Sequence, residues 1–538
     1  MIRPTDIGRF VLALGAAASW LPAQVSAGPS TRVLVSVNSE LERYLRVLQD
    51  KGVVPPRSWD IRPFGPRELE VLVPATLDHP WAARIAPPAK RLADVYVLAP
   101  EGMLIYNSAF PYGFNDGAIW AGRGITGAVQ AGIGGHVGPL SFALQPMAFA
   151  AENRAFSLLA NGQTGKFVFD DGANPQTIDL PQRFGGGVYG RIDPGQSTVR
   201  LDFPAVALGI STANDHWGPV IDNPLVLGNN AAGFPHVFVG TSAPVDIFIG
   251  RLQGRVEYGR LSQSPYAFPS DSETRRFMSG LALAFSPRGV PGLDIGGARF
   301  FHSIWPDSGF TSHDFLRPIE GLSYIATQGN TEIGPEGDNQ IASIFFRWVL
   351  GRSGAEVYGE FAKDDHNFDT RDLLLEPDHE SAFTLGLQKV WTLADSSLLA
   401  VRGEHTDARV SEIALGRPQN PFYVHTVVTQ GHTQYGQVLG GAAVYGGGGS
   451  TIEVSQYDKS GRWTMSWVRS GHEQALAAPG RPTVGDRADV IHALSLERVS
   501  FQPHFDLTWS VTAARELNRN FASDATNIRL TTGVRYRP

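Results

Sequence analysis

The last twelve residues of the chain, 527–538, read NIRLTTGVRYRP. Along this stretch one set of side chains alternates with a second, more polar set: Ile528, Leu530, Thr532, Val534 and Tyr536 against Arg529, Thr531, Gly533, Arg535 and Arg537. A period of two places each set on one face of a β-strand. About ten such residues suffice for a tilted strand to cross a bilayer. The stretch therefore predicts a membrane-spanning strand with one lipid-facing side.

The same alternation recurs upstream, from about residue 118 onward. The clearest faces are Phe505, Leu507, Trp509 and Val511; Ile344, Phe346, Trp348 and Leu350; and Val357 and Phe361, which alternate with Glu356, Tyr358 and Glu360. Counting all such segments gives roughly sixteen to eighteen strands, and bacterial barrels have an even number. We therefore predict an all-β transmembrane barrel of about 18 antiparallel strands. The soluble alternative is a two-layer sandwich or a propeller, although no fixed repeat of about 40 residues indicates blades.

Composition narrows the possible chemistry. Of the 538 residues, 18% are charged and 60 are glycine, and the formal net charge is −7. A negative net charge does not indicate the basic surface that nucleic-acid binding needs. The chain contains no cysteine, which excludes disulfides, thiol nucleophiles and cysteine-ligated metals.

The N-terminus is typical of an exported protein. Arg3 and Arg9 precede an apolar run, Phe10–Ala18, and Val25-Ser26-Ala27 forms a plausible cleavage site. These features predict a Sec-type signal peptide over residues 1–27. No later stretch offers about 18 consecutive apolar residues, so we expect no transmembrane helix.

Residues 28–100 are expected to form a small N-terminal α-helical domain, before a barrel over residues 101–538. Ser39 and Glu42 form a capping box, and Gly52 suits a helix C-terminus. Between them, four apolar side chains share one helical face: Leu41, Tyr44, Leu45 and Leu48. We expect a second helix over Arg67–Val73 and a third over Trp81–Leu92.

Loop lengths are uneven, with short turns alternating with long polar stretches, notably Trp305–Gln340, Lys363–Ser381 and Asp407–Gln434. In bacterial barrels the long loops lie outside the cell. These loops carry our candidate sugar contacts, which combine aromatic or imidazole rings with polar neighbours: Trp305, Asp307, His313, Asp314, Asp365, His366, Tyr423 and His425.

Three stretches carry a specific resemblance. The first contains Asn107, Tyr112, Asn115, Asp116, Trp120 and Arg123; the second contains Asp215, His216, Trp217, Asn229 and His236; the third runs from Gly431 to Gly440. Together with the helix near Asn38–Pro63, they resemble the capsule-assembly Wzi family across essentially the whole mature chain. The chain departs from the usual family pattern after the third stretch, where Gly441-Ala442-Ala443-Val444 leads into Gly446–Gly449.

This resemblance implies an 18-stranded outer-membrane barrel with a helical bundle at its periplasmic mouth. It also implies a lectin that holds capsular polysaccharide at the cell surface. The residues of the three stretches are expected to shape the barrel rather than to read one sugar, because Gly and Pro set tight turns and the aromatic side chains suit packing.

Enzymatic sites receive little support. Glu356 and Glu360 share a strand face, and Glu404-His405 and Asp378-His379-Glu380 place acids beside imidazoles. In a polar lumen such carboxylates are expected to be wall residues paired with arginines such as Arg402 or Arg535. No nucleophile elbow, zinc-binding helix or phosphate loop is present. We predict a non-catalytic protein without cofactor or metal that binds capsular or extracellular polysaccharide and contacts outer-membrane lipid. The alternatives are a porin or solute channel, and an outer-membrane hydrolase.

Overall fold

The computed structural model describes residues 35–74, 78–85, 92–267, 275–327, 338–364, 370–410, 419–472 and 488–537. Eighteen antiparallel strands form one closed sheet, in which the last strand pairs with the first through Glu101↔Arg535 to Asn107↔Arg529. The predicted barrel of about 18 strands is therefore confirmed.

The strands follow one another around the barrel in chain order. They are β1 (Ala93–Asn107), β2 (Gly124–Val137), β3 (Leu140–Leu144 and Met147–Ala151), β4 (Tyr189–Asp193 and Thr198–Asp202), β5 (Val206–Ser211), β6 (His236–Thr241 and Val245–Ile247), β7 (Gly250–Ser262), β8 (Arg275–Pro287), β9 (Leu293–Ile304), β10 (Asp338–Leu350), β11 (Ala355–Asp364), β12 (Ser381–Thr392), β13 (Leu398–Asp407), β14 (Gly447–Asp458), β15 (Gly461–His472), β16 (Asp489–Phe501), β17 (Phe505–Arg519) and β18 (Ser523–Tyr536).

The alternation places apolar side chains outside and polar ones inside. In β10, Ile344, Phe346 and Trp348 are exposed on the outer surface, whereas Arg347 between them is fully buried in the lumen. Burial of charge under an exposed apolar surface is the reverse of a soluble protein, and it suits a wall that faces lipid. The same outward face is found for Ile528, which begins the apolar row of the last strand.

The two ends of the barrel differ in their connections. At one end, called the turn end, the connections are short: 138–139, 203–205, 248–249, 288–292, 351–354, 393–397, 459–460 and 502–504. At the other, called the loop end, all connections but 520–522 are long: 108–123, 152–188, 212–235, 263–274, 305–337, 365–380, 408–446 and 473–488. The loop end contains two of the helices, α3 (Ser312–Thr327) and α4 (Thr370–Leu375).

Among the residues that the structure describes, two helices precede the barrel. The first, α1 (Glu40–Asp50), begins at Ser39, whose hydroxyl accepts the backbone N–H of Glu42. The second, α2, spans Pro66–Leu72. Of the expected third helix, residues 81–85 form turns and 86–91 lie outside the described residues. The expected signal peptide, 1–27, also lies outside them, and β1 begins at Ala93, within the range 28–100 expected for the helical domain.

The N-terminal helices lie at the turn end of the lumen. Tyr44, Leu45 and Leu48 of α1 belong to one apolar core with side chains of the wall, namely Val390, Leu398, Ala400 and Tyr457. The indole Nε1 of Trp81 donates to the carbonyl of Asp458 at 3.0 Å, beside the turn 459–460. Among the described residues, no helix has the length and apolar character needed to cross a membrane.

Candidate functional site

The long loop 212–235 folds inward from the loop end and meets the N-terminal segment inside the lumen. Ile61 pairs with Trp217 and Arg62 with His216 in a short two-stranded sheet. The N–H of Gly218 donates to the carbonyl of Asp60 at 2.7 Å. A loop from one end of the barrel and a segment from the other therefore join, and together they occupy the lumen.

A buried wall carboxylate fixes this loop. Glu404 of β13 accepts the backbone N–H groups of Ile221, Asp222 and Asn223 at 2.9–3.0 Å. The hydroxyl of Tyr358 also donates to Glu404, at 3.1 Å. Because both oxygens are engaged, this carboxylate has little capacity left to act as a general base.

Buried ion pairs fix the N-terminal helix in a similar way. Arg347 of β10 binds Glu356 through Nε at 2.5 Å and Asp50 of α1 through Nη2 at 3.1 Å. Arg46 of α1 reaches the other oxygen of Glu356 at 2.8 Å. These four side chains are almost completely shielded from solvent, so each charge depends on its partners for stabilisation.

The wall carboxylates singled out from the sequence are therefore lumen residues with partners. Glu356 and Glu360 face inward as expected, and Glu360 accepts the N–H of Leu225 at 3.1 Å. Arg402 binds Asp222 of the loop at 2.6 Å, and Arg535 binds Glu101 at 2.8 Å. In the remaining acid–imidazole stretch, the Nδ1 atom of His379 lies 3.0 Å from Glu376.

The first sequence stretch lies where β1 and β18 meet. Asn107 is fully buried; its amide donates to the carbonyl of Ala121 and its oxygen accepts from Asn527. Asp116 pairs with Arg529 at 2.7 Å. The other four residues also hold loops together. The carbonyl of Tyr112 accepts from the amide of Asn107, and the amide of Asn115 donates to the carbonyl of Asp222. The ring of Trp120 packs on Phe184, and the Nε of Arg123 donates to the carbonyl of Ser108.

Four of the five residues named from the second stretch are buried: Asp215, His216, Trp217 and His236. Trp217 belongs to the main lumen core and its ring meets that of Phe300, while Asn229 donates to the carbonyl of Asn115 at 2.8 Å. His216 donates through Nε2 to the carbonyl of Val220 at 2.7 Å. Burial and the nearby Arg62 charge hold the pKa of His216 well below its ordinary value, so the ring is neutral.

Asp215 and His236 of the same stretch meet Glu257 on the inner wall. Arg255 binds both carboxylates at 3.0 Å, and the Nε2 atom of His236 lies 3.2 Å from Asp215. The Nδ1 atom of His236 contacts the carbonyl of Phe234 at 2.9 Å. The guanidinium between the two carboxylates links the start of loop 212–235 to β7.

The third stretch lies inside loop 408–446. His432 donates through Nε2 to the carbonyl of Val226 at 2.6 Å and stacks on Tyr423 at 5.0 Å. Burial, together with the positive charge of Arg276, lowers the pKa of His432 to about 3. Its neutral ring thus connects the two inward loops.

The candidate sugar contacts separate into five groups. Tyr423 and His425 are buried: the hydroxyl of Tyr423 donates to the carbonyl of Leu225 at 2.9 Å, and the Nδ1 atom of His425 accepts from Val428. The expectation that these two residues face the outside is wrong, because their loop folds into the lumen. Asp365 and His366 lie outside the described residues.

The remaining candidates lie on the loop that begins after β9. Asp307 and His313 are exposed. Asp314 is mostly buried and accepts the N–H and hydroxyl of Thr311. Trp305 is half-buried among Phe277 and Phe310, on the outer side of the wall rather than over the mouth of the lumen.

The sequence named Glu404 and Arg402 only as wall residues and did not single out Arg347, so it assigned neither the anchors of loop 212–235 nor the anchor of α1. The signal was present, because each is a charged residue at a strand position that alternates with the apolar outer row. Their partners lie in distant segments, so the pattern alone could not pair them.

The fold of this chain is similar to that of solved outer-membrane barrels. Wzi from Escherichia coli, an outer-membrane protein involved in group 1 capsule assembly and a carbohydrate-binding β-barrel, has a TM-score of 0.62 at 14% identity, covering 94% of this chain and 99% of that one. OccAB3 from Acinetobacter baumannii (TM-score 0.39, 10% identity, 81% and 98% coverage) and OccK3 from Pseudomonas aeruginosa (0.38, 12%, 82% and 94%) are more distant. No curated protein sequence matches the chain significantly.

The sequence of the chain also matches the model of a protein family. The model of the capsule assembly protein Wzi matches residues 170–457, more than half of the chain, and the matched range contains both inward loops 212–235 and 408–446. Together with the closed barrel and the filled lumen, this match establishes that the chain is an outer-membrane β-barrel belonging to the capsule assembly Wzi family.

Proposed function

We propose that this protein is a non-catalytic, lectin-like protein that binds capsular or extracellular polysaccharide at the loop end of its barrel and helps to assemble or retain it at the cell surface. Membership of the capsule assembly family supports this proposal. The observation that carries it furthest is that loop 212–235 and the N-terminal segment together plug the lumen. This plug leaves the outer loops as the surface to which a polymer can bind.

The proposed orientation puts the loop end outside the cell. Residues 1–27 would direct export, and the helical segment before β1 would lie on the periplasmic side and close the turn end of the barrel, which begins at Ala93. Bacterial barrels carry short turns on the periplasmic side and long loops outside. The contact of Trp81 with the carbonyl of Asp458 at the turn end is consistent with this arrangement.

Among the sequence candidates that the structure describes, Asp307 and His313 are exposed, and both are retained as proposed sugar contacts. The loop 152–188 adds Gln163 and Lys166, which present polar groups at the same end of the barrel. Each contact would be weak. Repeated contacts along one polymer convert modest affinity per site into strong retention, because later contacts form at high effective concentration.

The porin alternative is disfavoured by the same plug. Loop 212–235 and the N-terminal segment meet inside the lumen through Gly218 and Asp60, so a solute path would require their displacement. The hydrolase alternative is disfavoured by the partners of Glu404 and Glu356, which occupy the carboxylate oxygens.

The deciding experiment measures binding of the purified protein to the host's own extracellular polysaccharide, with unrelated glycans as controls. We expect selective, saturable binding that weakens in the double variant Asp307→Ala/His313→Ala. The matched control is Asp395→Ala/His504→Ala, two residues at the turn end. Absence of binding by a folded barrel would overturn the proposal for this glycan and would make bilayer conductance the next measurement.

A further inference from the structure

A groove of about 560 Å³ lies on the outer wall of the barrel, away from the plugged lumen. Its floor follows one row of paired strand positions, Val199, Ile210, Val237 and Tyr258. These side chains point outward, since the adjacent Arg200 and Glu257 are buried on the inner side. The groove therefore opens toward lipid rather than toward the lumen.

One side of the groove is built by the loop that follows β9. Trp305, Phe310 and Phe315 pack over Phe277 of the outer wall, with ring centroids 4.6–6.2 Å from the ring of Phe277. The hydroxyl of Tyr258 donates to the carbonyl of Phe315 at 2.8 Å, which ties α3 to the wall. The apolar lining extends to Leu144 on the opposite side.

Two arginines lie at the end of the groove nearest the loops. Arg260 lines the groove and pairs with Phe277 in the sheet. Arg260 lies one position nearer the loop end than Gly259, which also lines the groove. Arg275, the first residue of β8, lies over the ring of Trp305 at 5.8 Å. Within the part of the chain that the structure describes, neither guanidinium has a carboxylate partner, and the buried Nε of Arg260 has no hydrogen-bond acceptor.

We propose that this groove is a specific site for a phosphate-bearing glycolipid of the outer leaflet, of the lipid A class. An acyl chain would lie on the row from Val199 to Tyr258, and a headgroup phosphate would bind Arg260 and Arg275. Guanidinium groups are well suited to phosphate because they donate two parallel hydrogen bonds. A polysaccharide is a poor occupant, since the floor offers apolar side chains where a sugar needs hydrogen-bonding partners.

The choice of leaflet rests on the orientation given in the proposed function, whereas the groove itself depends only on the outer face of an outer-membrane barrel. The volume of the groove falls within the range of small-ligand sites, roughly 300–1,000 Å³. The groove thus combines a wall built by a loop with two arginines that have no carboxylate partner among the described residues.

The test counts lipid molecules retained by the purified protein in native mass spectrometry after equilibration with diphosphoryl lipid A. We expect one retained molecule, and at least tenfold weaker retention of dephosphorylated lipid A. The double variant Arg260→Gln/Arg275→Gln should lose at least tenfold in retention, and Ile210→Trp should do the same by filling the groove.

The matched control is Arg469→Gln, an exposed outward arginine near the loop end on β15. It should retain lipid A as the unchanged protein does. Equal retention by Arg260→Gln/Arg275→Gln and the unchanged protein, or an equal loss in Arg469→Gln, would overturn the proposal. Polysaccharide binding measured on the same variants separates the two proposals, because we expect it to be unchanged when lipid retention is lost.

Discussion

The carboxylate of Glu404 accepts the backbone N–H of Asn223 at 2.9 Å, although the two residues are 181 positions apart in the chain. The same carboxylate accepts the N–H groups of Ile221 and Asp222. A wall strand thus binds three consecutive amides of an inward loop. Hydrogen bonds to a buried charged group are each worth roughly 1.5–3 kcal/mol, so this contact is a principal anchor of the plug.

Replacement of this anchor should open the lumen without unfolding the barrel. In Glu404→Gln, an amide N–H₂ group faces backbone N–H groups. We expect the free energy that docks loop 212–235 to the wall to weaken by about 2–4 kcal/mol. Conductance steps in planar bilayers should then appear. Glu101→Gln is the control, because Glu101 lies on a wall strand and pairs with Arg535. A sealed barrel in Glu404→Gln would show that other contacts suffice to hold the loop.

Loss of Arg347 should release the N-terminal helix. Arg347→Met leaves the buried carboxylate of Asp50 without its arginine, and breaking a buried pair in this way costs about 3–5 kcal/mol. We expect rapid proteolysis within residues 35–74 while the barrel keeps its heat-modifiable migration on gels. Arg288→Met removes an exposed pair with Asp246 and should have little effect. Equal protease resistance in both variants would contradict this role.

Acid should loosen the inward loop 408–446. The pKa of His432 is about 3 in the docked loop, against about 6.5 for an exposed histidine. Below pH 6.5 the released loop binds a proton that the docked loop does not, so docking weakens by about 1.4 kcal/mol per pH unit down to about pH 3.

The measurement is hydrogen exchange over residues 419–446, corrected for intrinsic rates, at pH 7.5 and pH 5. We expect weaker protection at pH 5, and a smaller pH effect in His432→Asn, whose amide can still donate to the carbonyl of Val226. The control His405→Gln changes an exposed histidine and should keep the full effect. Equal protection at both pH values would count against the neutral, buried state of His432.

The lipid-facing surface should penalise charge according to depth. Ile344 lies at the middle of β10 and is exposed on the outer wall, so Ile344→Arg should cost about 2–4 kcal/mol in a bilayer. Tyr536→Arg, at the turn-end edge of β18, should cost about 0–1 kcal/mol. Reversible unfolding from lipid vesicles gives both values. Equal costs would contradict the assigned membrane depth.

The sequence alone predicted the wall of the barrel and its two faces. The alternation that runs from Ile528 to Tyr536 is a local property, because successive side chains of any strand point to opposite sides. The first helix was also predicted well, since Ser39 and the apolar face through Tyr44 and Leu48 are local signals. Strand number followed from counting, since each outer face must be apolar across one membrane thickness.

The tertiary structure decided what the long loops do. Tyr423 and His425 belong to a polar stretch that the sequence places outside, yet they are buried because Tyr423 bonds Leu225 of another inward loop. Glu404 and Arg347 become anchors only when segments far apart in sequence meet in the lumen. A local pattern can orient a side chain, but it cannot choose a partner hundreds of residues away, so only the closed fold determined that the lumen is filled.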